Sequence, residues 1–370
     1  MKIVQIINQL QGGGAERLVI QLHESFLEAG HQSYIISLLD IPEQYKCGRI
    51  FCLGAKSPWH PYLYFKIRNL ILQLDVGSRI DIVHSHLTQS QFWAACIQFS
   101  IKSKFCLITT EHDTWNQRRA STMGALFDRF LYNPYDQIIS ISDGVHQSFI
   151  RWFPNAEKKS VVVLNGIELN AFYKKKPIQK KEKMRIISIG RLLPKKNFDT
   201  AIRACLLLKN KNYEYHIYGE GSSYQELKDL ISNLGLEMQV DLKGHSNKIP
   251  DILAQADLFL LSSKWEGFGL VVAEAMASEL PCIVSNIEGV SEVAGTNDES
   301  ALLVNPKDPA EIARALDRLM EDERLRERIA KNGFEQSKKF CIHKMSQNYL
   351  KVYQSFLNPK DLFEDGEIPQ

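Results

Sequence analysis

The alternation of short apolar strands with amphipathic helices constrains the fold of this chain more than any other feature of its sequence. The predicted strands of the first half are Ile3–Ile7, Tyr34–Leu39, Ile50–Leu53, Ile80–His84, Phe105–Thr109, Gln137–Ile141 and Val161–Leu164. Between them lie stretches with a helical spacing of apolar residues, such as Ala15–Ala29 and Asp143–Phe153. Strands that alternate with helices of about 10–15 residues predict a parallel sheet covered on both faces.

The second half of the chain repeats this pattern. Its predicted strands are Arg185–Ile189, Tyr215–Tyr218, Val240–Lys243, Leu258–Leu261, Cys282–Val284 and Leu302–Val304. A chain of 370 residues is also too long for one core, since single cores stop growing beyond about 250–300 residues. We therefore expect an α/β fold with two doubly wound, Rossmann-like domains. Because such sheets bind ligands beyond the carboxyl ends of their strands, the expected site is a cleft across which the domains face each other.

The break between the halves lies at Lys174–Glu182, which contains Pro177 and lacks apolar periodicity. The expected organisation is an N-terminal domain over 1–172, a basic linker over 173–184, a C-terminal domain over 185–340, a helix over 341–358 that returns to the N-terminal domain, and an acidic tail over 359–370.

Residues 171–185 carry seven Lys or Arg and one acid. This is typical of a solvated linker, and a basic face towards anionic lipid is the less favoured alternative.

Composition and targeting signals narrow the class of protein. The net charge of +2 does not call for nucleic acid as a partner, and none is expected. The seven cysteines form no CxxC pair, and most lie in apolar runs, which favours a reducing compartment. No apolar run approaches the roughly 18 residues that span a bilayer, and the start MKIVQIINQ is too short for the core of a signal peptide. We expect a cytoplasmic protein that can associate peripherally with the cytoplasmic face of the inner membrane.

A run of three glycines, Gly12, Gly13 and Gly14, follows the first predicted strand and precedes a helix. Glycines at such a turn let the backbone approach a ligand closely and direct N–H groups at an anion. A nicotinamide-type fingerprint needs a third glycine where Arg17 stands, so that interpretation fails. The run favours a phosphate or sugar site slightly over a simple flexible turn.

Two cations follow the first strand of the second half. Gly190 and Arg191 close this strand, and Lys196 lies within the segment PKKNF just before a predicted helix. Cations in this place can clamp a diphosphate leaving group, because they stabilise the negative charge that develops as its bond breaks. Exposed cations are common in loops, so the presence of these two alone is weak evidence for a diphosphate site. Their position beyond a strand end is the stronger evidence.

The most informative stretch, SSKWEGFGLVVAEAMA, follows the buried strand ADLFLL and opens a helix. Glu266 is expected in the turn before this helix and Glu274 within it, so that both can face one ligand. The N–H groups of residues 268–270 would point at a diphosphate with help from the helix dipole. Alternatively, Glu266 only caps the helix and Glu274 is solvated. The apolar neighbours of Glu274 argue against that alternative, because a buried carboxylate needs a partner.

These pieces belong to an ordered set of motifs. The segments are GGGAE at 12–16, ITTEH at 108–112, ISISDGV at 139–145, LNGIE at 164–168, SIGRLLPKKN at 188–197, YGEGS at 218–222, LKGH at 242–245, EGFGLVVAEAMASELPCIVSN at 266–286 and LLVNPKD at 302–308. Together they resemble glycosyltransferase family 4, whose members are retaining enzymes with the GT-B architecture. The EGFG segment with its two carboxylates is the strong signal, whereas the glycine and SDG pieces are individually weak.

The resemblance implies roles for individual residues. Arg191 and Lys196 would hold the diphosphate of a nucleotide-sugar donor, and Glu274 would accept hydrogen bonds from its ribose hydroxyls. Glu266 would contact the transferred sugar. The other implied donor-site residues are Gly13, Gly14, Gly219, His245, Phe268, Gly269 and Leu270. His112 would lie close to the reacting sugar, where it would orient a hydroxyl or stabilise the transition state.

The resemblance also implies that no metal is needed, and no D-x-D pair is placed to hold one. His84 and His86 lie in VHSH at the end of a predicted strand, and alternate residues on a strand share a face. Two imidazoles without a third ligand make a poor metal site, so a cleft edge or a satisfied core is favoured for them. We expect no cofactor beyond the donor substrate.

The acceptor side is less well defined by the sequence. Arg118 and Arg119 follow His112 in a polar loop, where they can hold a phosphate of a lipid-linked acceptor, with His86 as a further candidate; a solvated loop explains the two arginines slightly better. The stretch 59–74, WHPYLYFKIRNLILQL, mixes aromatic and basic residues with aliphatic ones. It fits a membrane surface and an ordinary core helix about equally well.

The leading hypothesis is a retaining glycosyltransferase. Its expected donor is a nucleotide-diphosphate sugar, with UDP favoured, and its expected acceptor is a glycan or a polyprenyl-diphosphate-linked sugar. The motifs are similar in style to those of bacterial capsule, exopolysaccharide and lipopolysaccharide enzymes. The alternatives are a sugar-nucleotide epimerase or phosphorylase of the same fold, and a non-catalytic partner subunit that binds nucleotide sugars.

Overall fold

The computed structural model describes residues 1–45, 48–101, 105–173 and 183–357. These residues form two compact units. Unit 1 comprises the described parts of Met1–His112, Asn116–Asn165 and Ile342–Gln370, and unit 2 comprises those of Asp113–Trp115 and Gly166–Cys341. The expected acidic tail over 359–370 and most of the linker over 173–184 lie outside the described residues.

Strands and helices alternate along the described chain. The strands are β1 (Lys2–Ile7), β2 (Gln32–Ser37), β3 (Ile50–Cys52), β4 (Ile82–His86), β5 (Cys106–Glu111), β6 (Gln137–Ser140), β7 (Ser160–Val162), β8 (Met184–Ile189), β9 (Tyr213–Tyr218), β10 (Val240–Gly244), β11 (Leu258–Leu261), β12 (Cys282–Ser285) and β13 (Leu302–Val304). The helices are α1 (Gly14–Glu28), α2 (Tyr62–Leu74), α3 (Thr88–Gln98), α4 (Thr122–Tyr132), α5 (Asp143–Trp152), α6 (Leu169–Phe172), α7 (Phe198–Leu207), α8 (Tyr224–Asn233), α9 (Ile249–Ala254), α10 (Leu270–Ala277), α11 (Val290–Ala294), α12 (Pro309–Glu321), α13 (Glu323–Ser337) and α14 (Ile342–Leu357).

Unit 1 is built on a parallel sheet with the order β3-β2-β1-β4-β5-β6-β7. Alternate residues of a strand face opposite sides of its sheet, and both sides of β1 are apolar. Val4 and Ile6 belong to the core that α2, α3, α4 and α5 cover. Ile7 joins a smaller core with Val19 of α1 on the other face. Helix α14 packs against α1, and its Tyr353 contacts Phe26 with ring centroids 5.6 Å apart.

Strand β4 ends two residues later than the sequence predicts. The expected strand stopped at His84, whereas the structure continues it to His86. The reason is that β4 is a central strand with partners on both sides. His86 lies opposite Ile7 of β1 and Thr110 of β5, and these ladders continue through the polar residues.

Helix α2 supports the core-helix interpretation of residues 59–74 for only one of its faces. It buries Leu63, Ile67 and Ile71 in the core of unit 1, whereas Phe65 and Leu72 are exposed on its outer side. A core helix therefore explains one face of α2 and leaves the other face to be explained. None of the helices in the described part of the chain is long and apolar enough to cross a membrane.

Unit 2 contains a second parallel sheet, with the order β10-β9-β8-β11-β12-β13. In this sheet the chain runs outward from β8 to β10 and then returns to place β11 on the other side of β8. Ligands of doubly wound sheets bind beyond the carboxyl ends of the strands where the order reverses. The loops after β8 and β11 flank that position. The corresponding pair in unit 1 is β1 and β4.

Candidate active site

The loops that follow β8 and β11 are joined by hydrogen bonds within unit 2. The backbone N–H of Lys264 donates to the carbonyl of Lys195 at 2.8 Å. The Ser262 hydroxyl donates to the carbonyls of Lys196 at 3.0 Å and Asn197 at 3.1 Å. The cationic segment after the first strand is therefore held against the segment that contains the carboxylate motif.

Asn197 fixes the shape of this junction. It lies in the left-handed region with φ 58° just before α7, a conformation that Asn tolerates better than most residues. Its buried side-chain amide donates to the carbonyls of Ser262 at 3.0 Å and Pro306 at 2.7 Å. The Thr200 hydroxyl donates to its Oδ1 at 3.0 Å. Asn197 thus positions Lys196, a role that nothing in the sequence indicates beyond the place of Asn197 before a helix.

Buried Glu266 and partly buried Lys196 form an ion pair at this junction, with Lys196 Nζ donating to Glu266 Oε1. The Ser263 hydroxyl donates to the same oxygen at 2.8 Å. Burial alone would raise the pKa of Glu266, but the charges of Lys196 and Lys195 and these hydrogen bonds hold it below its ordinary value. Glu266 is therefore an ionised carboxylate in a largely water-free place, where it can accept hydrogen bonds from hydroxyl groups of a ligand.

A neighbouring pair, Asp113 and Lys195, was not predicted from the sequence. Asp113 Oδ2 lies 3.0 Å from Lys195 Nζ, and Thr114 Oγ1 donates to the carbonyl of Glu266 at 3.1 Å. Burial raises the pKa of Asp113, and the charge of Lys195 opposes that rise. Residues Asp113–Trp115 thus belong to unit 2, although the chain on both sides of them belongs to unit 1.

Helix α10 begins directly after the EGFG turn. Gly269 caps it in the left-handed region with φ 84°, and no acidic residue occupies its first turn. The first N–H groups of a helix have no partner within the helix and favour an anion. Phe268 is buried and packs edge-on against Phe340, with ring centroids 5.2 Å apart. The contact with Phe340 thus holds Phe268 in place directly before the first residues of α10.

Glu274 lies one helical turn after Leu270 in α10. Its side chain is fully buried, as are those of its neighbours Ala273 and Ala275. The solvated surface position considered from the sequence is therefore excluded. A carboxylate in such surroundings costs free energy unless polar or charged groups compensate it, so its presence points to a specific contact.

The remaining predicted donor residues lie at the carboxyl ends of neighbouring strands. Arg191 is exposed after β8, Gly219 follows β9, and exposed His245 follows β10 with its Nε2 2.9 Å from Asn247 Oδ1. Gly13 and Gly14 belong to unit 1, where Gly13 caps α1 and Gly14 is its first residue. The structure therefore places Arg191, Lys196, Gly219, His245 and the residues of the EGFG segment on one edge of the unit 2 sheet.

Gly219 allows two backbone segments to approach closely at that edge. Its φ is +149°, and an added Cβ atom would lie 1.9 Å from the Gly190 carbonyl oxygen. The Gly219→Ala variant is expected to lose at least about 3 kcal/mol of the free energy of unfolding, because the backbone before Arg191 must move. Urea denaturation measures this loss.

Gly235 provides the matched control for this prediction. It also has a positive φ of +64°, but an added Cβ would meet nothing within 4 Å. Gly235→Ala should therefore cost only the backbone strain of about 1–2 kcal/mol. Equal losses in the two variants would show that close packing against Gly190 is not the constraint.

Three histidines form a chain of contacts in unit 1. The rings of His84 and His86 have centroids 4.1 Å apart, and His86 Nδ1 lies 3.3 Å from His112 Nε2. His84 Nδ1 lies 2.6 Å from the Tyr353 hydroxyl, and its Nε2 lies 2.8 Å from Thr110 Oγ1. The predicted residues His86 and His112 are therefore brought together. The anchoring by Tyr353, 269 residues from His84 in sequence, could not be read from the sequence.

Burial keeps these histidines neutral. It lowers the pKa of His84 to about 3 and that of His112 to about 4, and it lowers the pKa of His86 well below its usual range. The charge of Glu111 opposes the lowering of the pKa of His112. Neighbouring histidines lower the pKa values of His84 and His86 further. His112 can therefore act through hydrogen bonds of a neutral imidazole.

In the part of the chain that the structure describes, no group of three or more His, Cys, Asp or Glu is placed to hold a metal ion.

The two predicted acceptor residues, Arg118 and Arg119, form internal ion pairs in unit 1. Arg119 Nη2 lies 3.0 Å from Glu111 Oε2, and its guanidinium lies 5.6 Å from the centre of the Phe149 ring. Arg118 Nη2 lies 3.4 Å from Asp128 Oδ1. The solvated loop favoured from the sequence is therefore a set of partly buried charges, which neighbouring carboxylates and aromatic rings hold.

The fold and the site define the class of protein. Two parallel, doubly wound sheets, in which the candidate site residues follow the carboxyl ends of the strands, are the architecture of GT-B glycosyltransferases. A model described as Glycosyltransferase Family 4 matches residues 12–171, and one described as Glycosyl transferases group 1 matches residues 170–336. The chain belongs to glycosyltransferase family 4, as its motifs indicated.

Relatives from bacteria and archaea share most of the chain. One is the N-acetylgalactosamine-N,N'-diacetylbacillosaminyl-diphospho-undecaprenol 4-alpha-N-acetylgalactosaminyltransferase of Campylobacter jejuni, 29% identical over 95% of this chain and 98% of the relative. Another is the UDP-Gal:alpha-D-GlcNAc-diphosphoundecaprenol alpha-1,3-galactosyltransferase of Escherichia coli, 26% identical over 66% of this chain and 67% of the relative. An uncharacterised glycosyltransferase of Methanocaldococcus jannaschii is 26% identical over 84% of this chain and 86% of the relative.

Solved structures share the fold at low sequence identity. The Anabaena protein HepE in complex with UDP and glucose has a TM-score of 0.84 and 20% identity, over 96% of this chain and all of that chain. Sucrose-phosphate synthase from Thermosynechococcus elongatus has a TM-score of 0.81 and 18% identity, over 97% of this chain and all of that chain. These likenesses confirm the predicted GT-B fold with two Rossmann-like domains.

Proposed function

We propose that this glycosyltransferase moves a sugar from a UDP-sugar to a glycan on a polyprenyl diphosphate, with retention of the anomeric configuration, in bacterial surface polysaccharide synthesis. The ion pair of Lys196 with buried Glu266 at the switch point of unit 2 carries the proposal. The names of the relatives from Campylobacter jejuni and Escherichia coli support an acceptor on a diphospho-undecaprenol. The complex of HepE with UDP and the UDP-Gal donor of the Escherichia coli enzyme support UDP.

In this proposal the edge of the unit 2 sheet holds the donor. Arg191, Lys196 and the first amides of α10 bind the diphosphate, and Glu274 accepts hydrogen bonds from the ribose. Gly219 and His245 lie near the base. These cationic and N–H groups neutralise the leaving diphosphate, and the proposal therefore requires no metal cofactor.

The proposed chemistry uses this clamp instead of a strong acid. The bond between the anomeric carbon and the diphosphate oxygen breaks, and both electrons remain on the leaving oxygen. The acceptor hydroxyl oxygen attacks the same face of the sugar, and its proton passes to the leaving diphosphate. Glu266 holds a sugar hydroxyl and forms no bond to the sugar in this scheme, and its Oε1 accepts hydrogen bonds from Lys196 and Ser263. His112 orients another sugar hydroxyl as a neutral imidazole.

The acceptor phosphates are proposed to bind the positive side chains of unit 1. Arg118 and Arg119 are each paired through one nitrogen. Their Nε and Nη1 atoms have no hydrogen-bond partner within the described residues, which leaves N–H donors of the type that recognises phosphate. His86 Nε2 is likewise buried without a partner there. Peripheral membrane association is part of this proposal, since a polyprenyl-linked acceptor is anchored in a bilayer.

Donor choice and stereochemistry test the proposal together. Calorimetry of the purified chain against UDP-, GDP- and ADP-sugars in EDTA is expected to show selective binding of a UDP-sugar. With an α-linked donor and a polyprenyl-diphosphate-linked glycan, NMR of the product is expected to show a new α-linkage. A β-linkage would contradict retention, and tight binding of a GDP- or ADP-sugar alone would contradict the donor assignment. Conversion of the donor without acceptor would indicate an epimerase instead.

A further inference from the structure

Two tryptophans lie beside the candidate site in unit 2 and take no part in the donor contacts described above. Trp265 directly precedes Glu266, and Trp115 follows Asp113 by two residues. Their ring centroids are 5.3 Å apart, and the ring planes are inclined at 48°. Trp115 is 48% exposed, and Trp265 is half-buried. The two indole rings therefore form one aromatic surface that is open to solvent, which we call the tryptophan platform.

A hydrogen bond and an ion pair fix the backbone on which this platform is built. The Thr114 hydroxyl donates to the carbonyl of Glu266 at 3.1 Å. This bond joins the residue before one tryptophan to the residue after the other. The ion pair of Asp113 with Lys195, 3.0 Å long, ties the same segment to the loop after β8. A surface held in this way loses little conformational freedom when a ligand binds, which favours affinity.

The position of the platform in the sheet separates it from the proposed base site. Trp265 lies in the loop after β11, whereas Gly219 and His245 follow β9 and β10. Strand β8 lies between β9 and β11 in the sheet. A base held near Gly219 and His245 would therefore lie on the other side of β8. The flat ligand that suits the platform is thus a different part of the substrates.

The chemistry of the platform and its neighbours suits a sugar ring. The face of an indole is electron-rich, and the C–H groups on one face of a pyranose carry the weak positive charge that it attracts. Asp113 keeps 37% of its side-chain area exposed. Its carboxylate can accept hydrogen bonds from ring hydroxyls, and the ammonium group of Lys195 can donate one. A pyranose has both an apolar face and a polar edge, so it matches this combination.

Exposure distinguishes between the two sugars of the proposed reaction. The transferred sugar is assigned to Glu266, which is only 8% exposed. Trp115 is nearly half exposed, so it offers contact area to a ligand that continues into solvent, as an acceptor glycan does. Trp115 also lies three positions before Arg118, which the proposed function assigns to the acceptor phosphates. The platform therefore fits the acceptor sugar better than the transferred one.

We propose that the acceptor sugar that carries the attacking hydroxyl stacks on the tryptophan platform, while the Asp113 carboxylate accepts a hydrogen bond from another hydroxyl of that ring. Trp115 and Trp265 are then specificity-determining residues for the acceptor. The inference rests on the proposed function for the presence of a sugar acceptor, and it adds the side chains that recognise the ring of that sugar.

Binding of methyl glycosides tests the platform without the transfer reaction. Saturation-transfer NMR of the full chain, with and without UDP, is recorded for the methyl α-glycosides of glucose, galactose, N-acetylglucosamine and N-acetylgalactosamine. At least one is expected to bind, with the strongest saturation on the C–H protons of one ring face. Trp115→Ala should bind it about tenfold more weakly, because the ring that covers this face is lost. Trp115→Phe, which keeps an aromatic ring, should retain most of the affinity.

Kinetics with a polyprenyl-diphosphate-linked glycan provide a second measurement. Trp115→Ala is expected to raise the KM for the acceptor about tenfold, whereas kcat and the KM for the donor change by less than about twofold. Because Trp115 is exposed, its replacement should leave the fold intact, which urea denaturation checks. The matched control is Trp59→Ala, which removes a tryptophan of unit 1 that is 45% exposed. It should bind the glycosides as the unchanged chain does.

Three results would overturn the inference. The first is that the unchanged chain binds no glycoside in either condition, and the second is an equal loss in Trp115→Ala and Trp59→Ala. The third is a loss of UDP-sugar affinity in Trp115→Ala with unchanged glycoside binding, which would assign the platform to the transferred sugar. Donor selectivity and product linkage judge the proposed function separately. A chain that binds a UDP-sugar and forms the α-linkage without any effect of Trp115→Ala would refute the platform alone.

Discussion

The Lys196→Met variant is expected to lower kcat/KM for sugar transfer about a thousandfold, which is the upper end for loss of one group that stabilises developing charge. Lys196 is a partly buried cation in the loop after the first strand of unit 2, where the proposal puts the leaving diphosphate. The aliphatic part of the Lys196 side chain packs beside Gly190, where an added Cβ atom would lie 3.1 Å from it. Methionine keeps much of this aliphatic part. A radiolabelled transfer assay at saturating and limiting donor separates the change in kcat from that in KM.

The same variant also tests the electrostatics of Glu266. Without Lys196 the buried carboxylate keeps its burial cost but loses its main compensating charge, so its pKa is expected to rise. Removing one partner of a buried ion pair costs about 3–5 kcal/mol. The double variant Lys196→Met/Glu266→Gln, which has no unpaired charge, should recover most of this stability but none of the activity.

Lys264 provides the control for this prediction, because it lies exposed in the loop to which Lys195 is bonded. Lys264→Met should change kcat/KM less than twofold. Activity of Lys196→Met within tenfold of the unchanged enzyme would end the role of Lys196 as a clamp. Recovery of activity in the double variant would mean that the loss came from a misfolded site.

The sequence predicted the site well where its signal was local. Glu266, Gly269 and Glu274 lie within nine residues, and the change from a buried strand to a turn and a helix is visible in the order of residue types. The structure accordingly places Glu266 in the turn and Glu274 in α10. The alternation of strands and helices likewise predicted both parallel sheets.

Contacts between distant residues could not be predicted in the same way. Asp113 meets Lys195 across 82 positions, and Asn197 bonds Pro306 across 109. No periodicity links such pairs, because they depend on which strands become neighbours in the sheet. Arg119 illustrates the same limit. Its polar surroundings in the sequence suggested a solvated loop, but Glu111 at the end of β5 and the Phe149 ring hold it in the folded chain.

The chain is expected to lose stability steeply as the pH falls below about 6.5, because its buried histidines remain neutral. His84 and His112 have pKa values of about 3 and 4, and that of His86 is also well below its usual range. In the unfolded chain these residues protonate near pH 6.5. Between pH 6.5 and pH 4 the unfolded state therefore binds more protons than the folded state, and lower pH favours unfolding.

The size of this effect follows from about 1.4 kcal/mol per pH unit and proton. His84 and His112 should each cost about 2 kcal/mol by pH 5, and His86 acts in the same direction. His23, whose pKa burial lowers to about 4, adds to the loss. Asp113 and Asp128 act in the opposite sense, because burial raises their pKa and the folded chain takes up their protons first.

A comparison of variants isolates the histidine chain from these other groups. His84→Gln retains groups that can bond to Tyr353 and Thr110 but cannot take up a proton. Its free energy of unfolding, measured by urea titration between pH 8 and pH 5, should fall by about 2 kcal/mol less than that of the unchanged chain. His343→Gln, which alters an exposed histidine of α14, should leave the pH dependence unchanged. Parallel curves for all three proteins would show that His84 is not held neutral by the fold, and that the contacts from Tyr353 through His86 to His112 do not exclude a charged imidazole.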